Sequence, residues 1–89
     1  MNKKLPDRDI LEAECDRLFS LWIRKRDEGK NCCTCGCFWK ADFQCGHYVG
    51  RTHLNTRWDE KNAHAQCITC NSWNSGEAKE HGRYIDKLY

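Results

Sequence analysis

The sequence predicts a small α+β domain stapled by zinc, and three observations predict it. Two Cys-x-x-Cys knuckles, Cys32/Cys35 and Cys67/Cys70, bracket the middle of the chain. An apolar pattern of helical period precedes the first knuckle, and a shorter one follows the second. Eight cysteines occur in 89 residues, yet the N-terminus lacks the apolar run of a secretory leader. Reduced thiols in an intracellular setting are therefore expected, which favours metal over disulfides. A chain of this length buries only roughly 60–65% of its unfolded surface, so a staple is needed. Hydrophobic residues are 39% and charged residues 31%, a lean globular composition for one domain over residues 1–89. No segment has the apolar length of a membrane span. The net charge of +2 is low for a strongly basic nucleic-acid binder. Positive charge is local, at Arg24, Lys25 and Arg26 and again at Arg51 and Arg57, where it can serve phosphate contacts.

Pro6-Asp7 opens the first helix, with Asp7 as N-cap and Asp9 and Glu12 favourable in its first turns. Leu11, Cys15, Leu18 and Trp22 fall at helical spacing, and Phe19 and Ile23 widen the stripe. The helix is expected over residues 7–27, stopping near Gly29. Its apolar face is expected to dock on the zinc-bearing half, with Cys15 a small core residue. Asn31 to Gly36 reads as a knuckle turn, and Phe38 to Tyr48 as short strands with a turn. Val49 to Asp59 is a polar loop, and Asn62 to Gln66 a short strand. A helix begins around Cys67–Cys70 and is ended or kinked by Gly76, closing a core of residues 31–75. A last helix over residues 77–88 places Tyr84, Ile85 and Leu88 on one face. Trp58 and Trp73 are expected to cover the small core, and His81 to lie on the surface.

Zinc takes four ligands in a tetrahedron, with thiolates at about 2.3 Å. Pairing Cys32/Cys35 with Cys67/Cys70 closes such a site and ties the middle of the chain to the later helix. Structural zinc can supply about 10–16 kcal/mol of apparent binding free energy, more than a core this small offers. Gly36 supports Cys32/Cys35 as the first pair, since knuckle turns often need a residue tolerant of positive φ. Cys33/Cys37 or Cys35/Cys37 are the alternatives, and Cys33, Cys37 and Cys45 are otherwise spare thiols.

Between and beside the knuckles lie His47, Asn62 and Asn71. Asn62 stands five residues before Cys67, and Asn71 directly follows Cys70. Phosphodiester hydrolysis needs a base to activate water, and a neutral imidazole suits that near pH 7. It also needs a cation to stabilise charge on the phosphate and the leaving oxygen. Mg²⁺ or Mn²⁺ prefers oxygen ligands such as an Asn carbonyl and keeps several waters. The roles expected are His47 as base, Asn71 as ligand of the catalytic metal and Asn62 as the brace of the His-bearing loop. Arg51 would grip a phosphate with its guanidinium. Arg57 and His53 are candidate DNA contacts, and His64 a candidate second ligand of the catalytic metal. This order of knuckle, hairpin with His, loop, Asn, knuckle and helix resembles a treble-clef zinc fold carrying a ββα-metal (HNH) site. Many such sites have a metal-binding residue directly before the base. Here that residue is Gly46, which leaves His64, His47 itself, Asp42 or Asp59 to fill the gap.

The strings FSLWIRKRD, CCTCG, QCGHYVGR, RWDEKNAHAQC and CNSWNSGE together resemble the NinG/Rap family of phage recombination proteins, from about Phe19 to Tyr84. The resemblance implies structure-specific endonuclease activity on branched DNA such as D-loops and Holliday junctions. It also implies a phage or prophage gene acting in a bacterial cytoplasm. Gly before the His is the family's own pattern, and Cys45 fits it as well. Glu77, where members often have Asn, is a departure, as is the lack of the extra basic region of longer members. The expectation is a metal-dependent DNA endonuclease leaving 5′-phosphate and 3′-hydroxyl ends. A homodimer would suit symmetric cutting of a junction, although no stretch of the sequence identifies its interface. The alternative is a non-catalytic zinc module that binds DNA or a recombination partner.

Overall fold

The computed structural model describes residues 7–73 and 77–89. Among these residues three α-helices and a two-stranded sheet are arranged around the cysteine knuckles. Helix α1 spans Arg8–Arg26, strand β1 Gln44–His47, the short α2 Leu54–Arg57, β2 Ala63–Gln66 and α3 Ala78–Leu88. The second knuckle opens into a single π-helical turn over Thr69–Trp73 instead of a regular helix. The expected effects of Pro6 and Gly76 lie outside the described residues.

Helix α1 starts where its sequence signals place it. Asp7 accepts a hydrogen bond from the backbone N–H of Asp9 at 2.9 Å, and the chain leaves the helix through Gly29 at φ +83°. The face it docks is not the one expected. Leu11, Cys15, Leu18 and Trp22 face solvent, while Ile23 is fully buried and Phe19 half-buried. The physical reason is the polar anchoring of the other side. The Arg57 guanidinium forks onto Asp16 at 2.6 and 2.9 Å and reaches Glu12 at 3.4 Å. The Arg26 guanidinium holds Asp27 and donates to the carbonyls of Glu60 at 2.7 Å and Ala63 at 2.8 Å. These ion pairs turn the Glu12–Asp16–Phe19–Ile23 face inward and leave the longer apolar row outside.

Strands β1 and β2 pair antiparallel, with Cys45 opposite Ala65 and His47 opposite Ala63. Side chains alternate between faces, so His47 shares one face with Ala63, and His64 lies on the other with Gly46 and Gln66. A Cβ on Gly46 would collide with the side-chain amide of Gln66. That packing, and not an unusual φ, is why glycine stands before His47. No strand forms between residues 38 and 43. Of the short strands expected between Phe38 and Tyr48, one forms, the four residues Gln44–His47.

The apolar core is small: Cys32, Phe43, Ala65 and Cys70, with Trp39 and Cys67 against it. Trp73 does not cover it and stands 79% exposed. Trp58 instead donates its indole N–H to Asp16 at 3.0 Å, beside α1. Helix α3 docks on the His64 face of the sheet. His81, expected at the surface, is fully buried, and its Nε2 lies 3.1 Å from Nδ1 of His64. The Tyr84 ring packs edge-on to His64 with centroids 5.0 Å apart, and Gly82 fits under the ring of Tyr48. Leu88, expected on the docked face, is half exposed.

Candidate functional site

The two knuckles converge. Gly36 takes φ +77°, and its N–H donates to the carbonyl of Cys32 at 3.0 Å, closing the first turn. The sulfurs of Cys32, Cys35, Cys37 and Cys67 all lie within 4.8 Å of one another, and Cys35 and Cys67 are 3.7 Å apart. A tetrahedral zinc with thiolates at about 2.3 Å would place its sulfurs about 3.8 Å apart, so the cluster fits that ion. The tight quartet differs from the expected one, with Cys37 standing where Cys70 was expected. The knuckle turn brings the chain back on itself, and the Cys32 N–H donates to the Cys37 carbonyl at 2.9 Å. Cys70 is a fifth thiol at the edge, within hydrogen-bonding reach of Cys67 and Cys35.

The thiols are poised unequally. Burial disfavours the Cys32 thiolate, but the N–H groups of Cys35 and Cys67 and the Thr34 hydroxyl outweigh it and bring the thiol down to about 6. Burial, with the neighbouring thiols, pushes Cys70 up to about 12. One thiolate thus forms readily, and others beside it need a cation to offset their charge.

The second feature is an open cleft of about 700 Å³ beside β1. Asp16, Ser20 and Arg24 of α1 wall one side, and Asp42, Gln44, His47, Arg51 and Asn71 line the rest. At its edge, His47 Nε2 lies 2.8 Å from the carbonyl oxygen of Arg57. A carbonyl only accepts, so Nε2 carries the hydrogen and Nδ1 keeps the lone pair. Burial, with help from Arg51 and Arg57, holds His47 below the usual imidazole range, against the opposing pull of the Arg57 carbonyl and Asp16. The ring is held neutral at physiological pH. Phe19 supports it with ring centroids 5.7 Å apart.

Asn62 is buried and spans the loop between the strands. Its Nδ2 donates to the carbonyls of Val49 at 3.0 Å and Thr56 at 3.1 Å, and its Oδ1 accepts from the Val49 N–H at 2.8 Å. Those contacts brace the segment that supplies the Arg57 carbonyl to His47. Asn71 donates Nδ2 to Gln44 Oε1 at 2.8 Å, which leaves its Oδ1 out of that bond. Arg51 is exposed at the cleft mouth, with Nη1 3.6 Å from Asp16 Oδ2. Asp42, Gln44 and Asn71 offer oxygen donors there, chemistry that suits a hard divalent cation. Among the described residues no three Asp, Glu, His or Cys groups converge in the cleft, so water and substrate would complete such an ion's shell.

Three candidates fall elsewhere. His64 is buried against His81 on the opposite face of the sheet from His47 and is not in the cleft. Arg57 is spent on Asp16 and Glu12 with its side chain 15% exposed, so it braces α1 and is not a free DNA contact. His53 is exposed at the start of α2, outside the cleft lining. Sequence reasoning named Arg24 among the phosphate-contact candidates and missed Asp16 as a cleft residue. The signal for Asp16 was present, since it lies on the polar side of α1 with Ser20 and Arg24 at spacing four.

The family model described as Bacteriophage Lambda NinG protein matches residues 2–87. The chain belongs to the NinG family. Curated NinG relatives include the protein ninG of Escherichia phage 933W and that of Salmonella phage P22. Each is 36% identical over 73 residues, covering 81% of this chain and 36% of the relative. The protein ninG of Escherichia phage lambda is 35% identical over the same span. The chain therefore spans about a third of the length of the NinG proteins it matches. No solved structure matches it. Among the described residues no helix is long and apolar enough to cross a membrane.

Proposed function

We propose that the chain is the nuclease unit of a NinG protein, an HNH-type endonuclease that hydrolyses DNA phosphodiester bonds with a divalent cation. One observation carries this reading above the others: the His47 Nε2–Arg57 carbonyl bond, which fixes the tautomer and leaves a basic Nδ1 beside an oxygen-lined cleft. His47 Nδ1 takes the proton of an attacking water. Asn62 holds the loop so that the Arg57 carbonyl stays on Nε2 while the ring becomes charged. Arg51, with Arg24 behind it, binds the phosphate. Asn71 Oδ1 and the Asp42 carboxylate, both lining the cleft, would hold Mg²⁺ or Mn²⁺. When bound, that ion stabilises charge on the phosphate and leaving 3′ oxygen. The products carry 5′-phosphate and 3′-hydroxyl ends.

The proposed substrate is branched recombination DNA in the bacterial cytoplasm, which the family motifs support. Purified zinc-loaded protein should cut junction or D-loop DNA faster than linear duplex when Mg²⁺ or Mn²⁺ is added. His47→Ala should lower the rate about 10²–10⁴-fold with the fold intact. Unchanged cleavage in that variant removes His47 as the base. Salt-sensitive DNA binding with no scission in any divalent metal would instead identify a non-catalytic zinc module.

A further inference from the structure

The chain has four tryptophans, and three of them have a use inside the molecule. Trp39 packs on the core, Trp22 lies under the Arg26 guanidinium at 5.5 Å, and Trp58 under that of Arg57 at 5.3 Å. Trp73 is 79% exposed, and among the described residues no ring or cation stacks on it. One exposed apolar side chain needs no partner by itself. The mounting of this ring and its neighbours give it one.

Trp73 ends the π-helical turn Thr69–Trp73, which is tied down at two points. The Asn71 N–H donates to the carbonyl of Cys67 in the knuckle at 3.0 Å. The Asn71 and Ser72 side chains both donate to Gln44 Oε1 on β1, at 2.8 and 2.9 Å. The backbone that carries the ring is therefore set before anything binds, which lowers the ordering cost of a contact. Asn71 and Gln44 line the cleft beside β1. Two peptide steps of about 3.8 Å bring the backbone of Trp73 within about 8 Å of that of Asn71, at the cleft's rim. Arg24 and Arg51 line the same cleft. Arg24 is anchored on the carbonyl and hydroxyl of Ser20 at 3.2 Å, not on a carboxylate. Arg51 stands 3.6 Å from Asp16, whose carboxylate Arg57 already forks. Both guanidinium groups keep charge for a phosphate. An open aromatic face beside such cations is how single-stranded nucleic acid is held: the cations track the backbone, and the ring takes a base by its π-face.

We infer that Trp73 is a stacking platform for an unpaired DNA base, on a strand whose phosphates lie against Arg51 and Arg24. This rests on reading the cleft as a DNA site, and it adds a preference for strands with unpaired bases.

Fluorescence anisotropy of the zinc-loaded protein on an end-labelled single strand and on the matching duplex tests this, with no Mg²⁺ or Mn²⁺ added so that nothing is cut. Trp73→Ala should raise the dissociation constant for the single strand roughly five- to a hundredfold, and Trp73→Phe should recover most of the affinity. The constant for the duplex should not change. Bound zinc and helical content should stay constant, because the ring is largely exposed. Stacking moves no charge, so the salt slope should survive Trp73→Ala, whereas Arg51→Gln should flatten it by about 0.7. Unchanged single-strand affinity in Trp73→Ala, or an equal loss on both DNA forms, overturns the platform. The cleft reading survives that result if Arg51→Gln still flattens the slope. No salt-dependent binding to either DNA overturns both. Self-association lost in Trp73→Ala, with DNA binding untouched, would assign the ring to a protein contact instead.

Discussion

His47 has one nitrogen committed and one available, and the commitment depends on a residue far away in the chain. Asp16 holds the Arg57 guanidinium, and the Arg57 carbonyl holds His47 Nε2. The guanidinium beside it keeps the Asp16 carboxyl below the usual carboxylate range, so this fork persists into mild acid. Because His47 titrates below its ordinary value near 6.5, the neutral base is already the major form at that pH. Cleavage should therefore lose activity only as pH falls below about 6.5. Asp16→Ala should slow cleavage and move that acid limb, whereas an unmoved limb would mean Asp16 does not position the imidazole. His47, Asn62 and Asn71 were legible as residues because knuckle spacing sets the chain positions around them. Asp16 was not, because its partner lies 41 residues on and an ion pair leaves no periodic trace in sequence.

Helix α1 illustrates what an apolar pattern says and does not say. Its ends were legible from Asp7 and Gly29. Its inner face was not, because spacing defines a stripe without naming what covers it, and Arg26 and Arg57 decided the matter. Helix α3 presents the reverse case, since His81 reads as a surface residue until its partner His64 is known. Both imidazoles are buried and brought down to about 4, chiefly by burial. Groups lowered on folding contribute stability that is complete above the unfolded value near 6.5 and is lost as pH falls toward 4. Unfolding titrations should show the protein weakening across that window, by an amount on the order of a few kcal/mol. His81→Phe should flatten the dependence. A His81→Phe variant with the same slope would place the sensitivity elsewhere.

The whole molecule rests on a thin core, and its cysteines outnumber what zinc requires. Cys32, Cys35 and Cys67 are shared by the expected and the observed quartets; Cys37 completes the observed one, with Cys70 close beside it. Cys37→Ser and Cys70→Ser should each keep one bound zinc, and the double variant should lose it and unfold. Thiolate-to-cobalt absorbance in the cobalt-substituted protein would report this. Loss of the band in both single variants would show that five thiols are not interchangeable. Chelation should melt the whole fold at once, since the same thiols join the core. In the sequence Cys37 stood only as an alternative ligand, because spacing counts ligands along the chain, while the turn at Gly36 folds Cys37 back among them. A different consequence follows from how α1 ends. The N–H of Ala65 goes to the Asp27 carboxylate at 3.0 Å, the carbonyl of Ala63 to Arg26, and the carbonyl of Ala65 to the Cys33 N–H. These groups point away from β1, along the outer margin where a third strand would bind. Arg26 and Asp27 thus imitate a missing strand with side chains on the β2 margin. Asp27→Ala should reveal this as light scattering on mild heating, beyond the roughly 3–5 kcal/mol expected from breaking a buried ion pair. The Arg26–Asp27 pair thus closes the β2 margin of the two-stranded sheet with side chains, and its loss should open that margin to a stray strand.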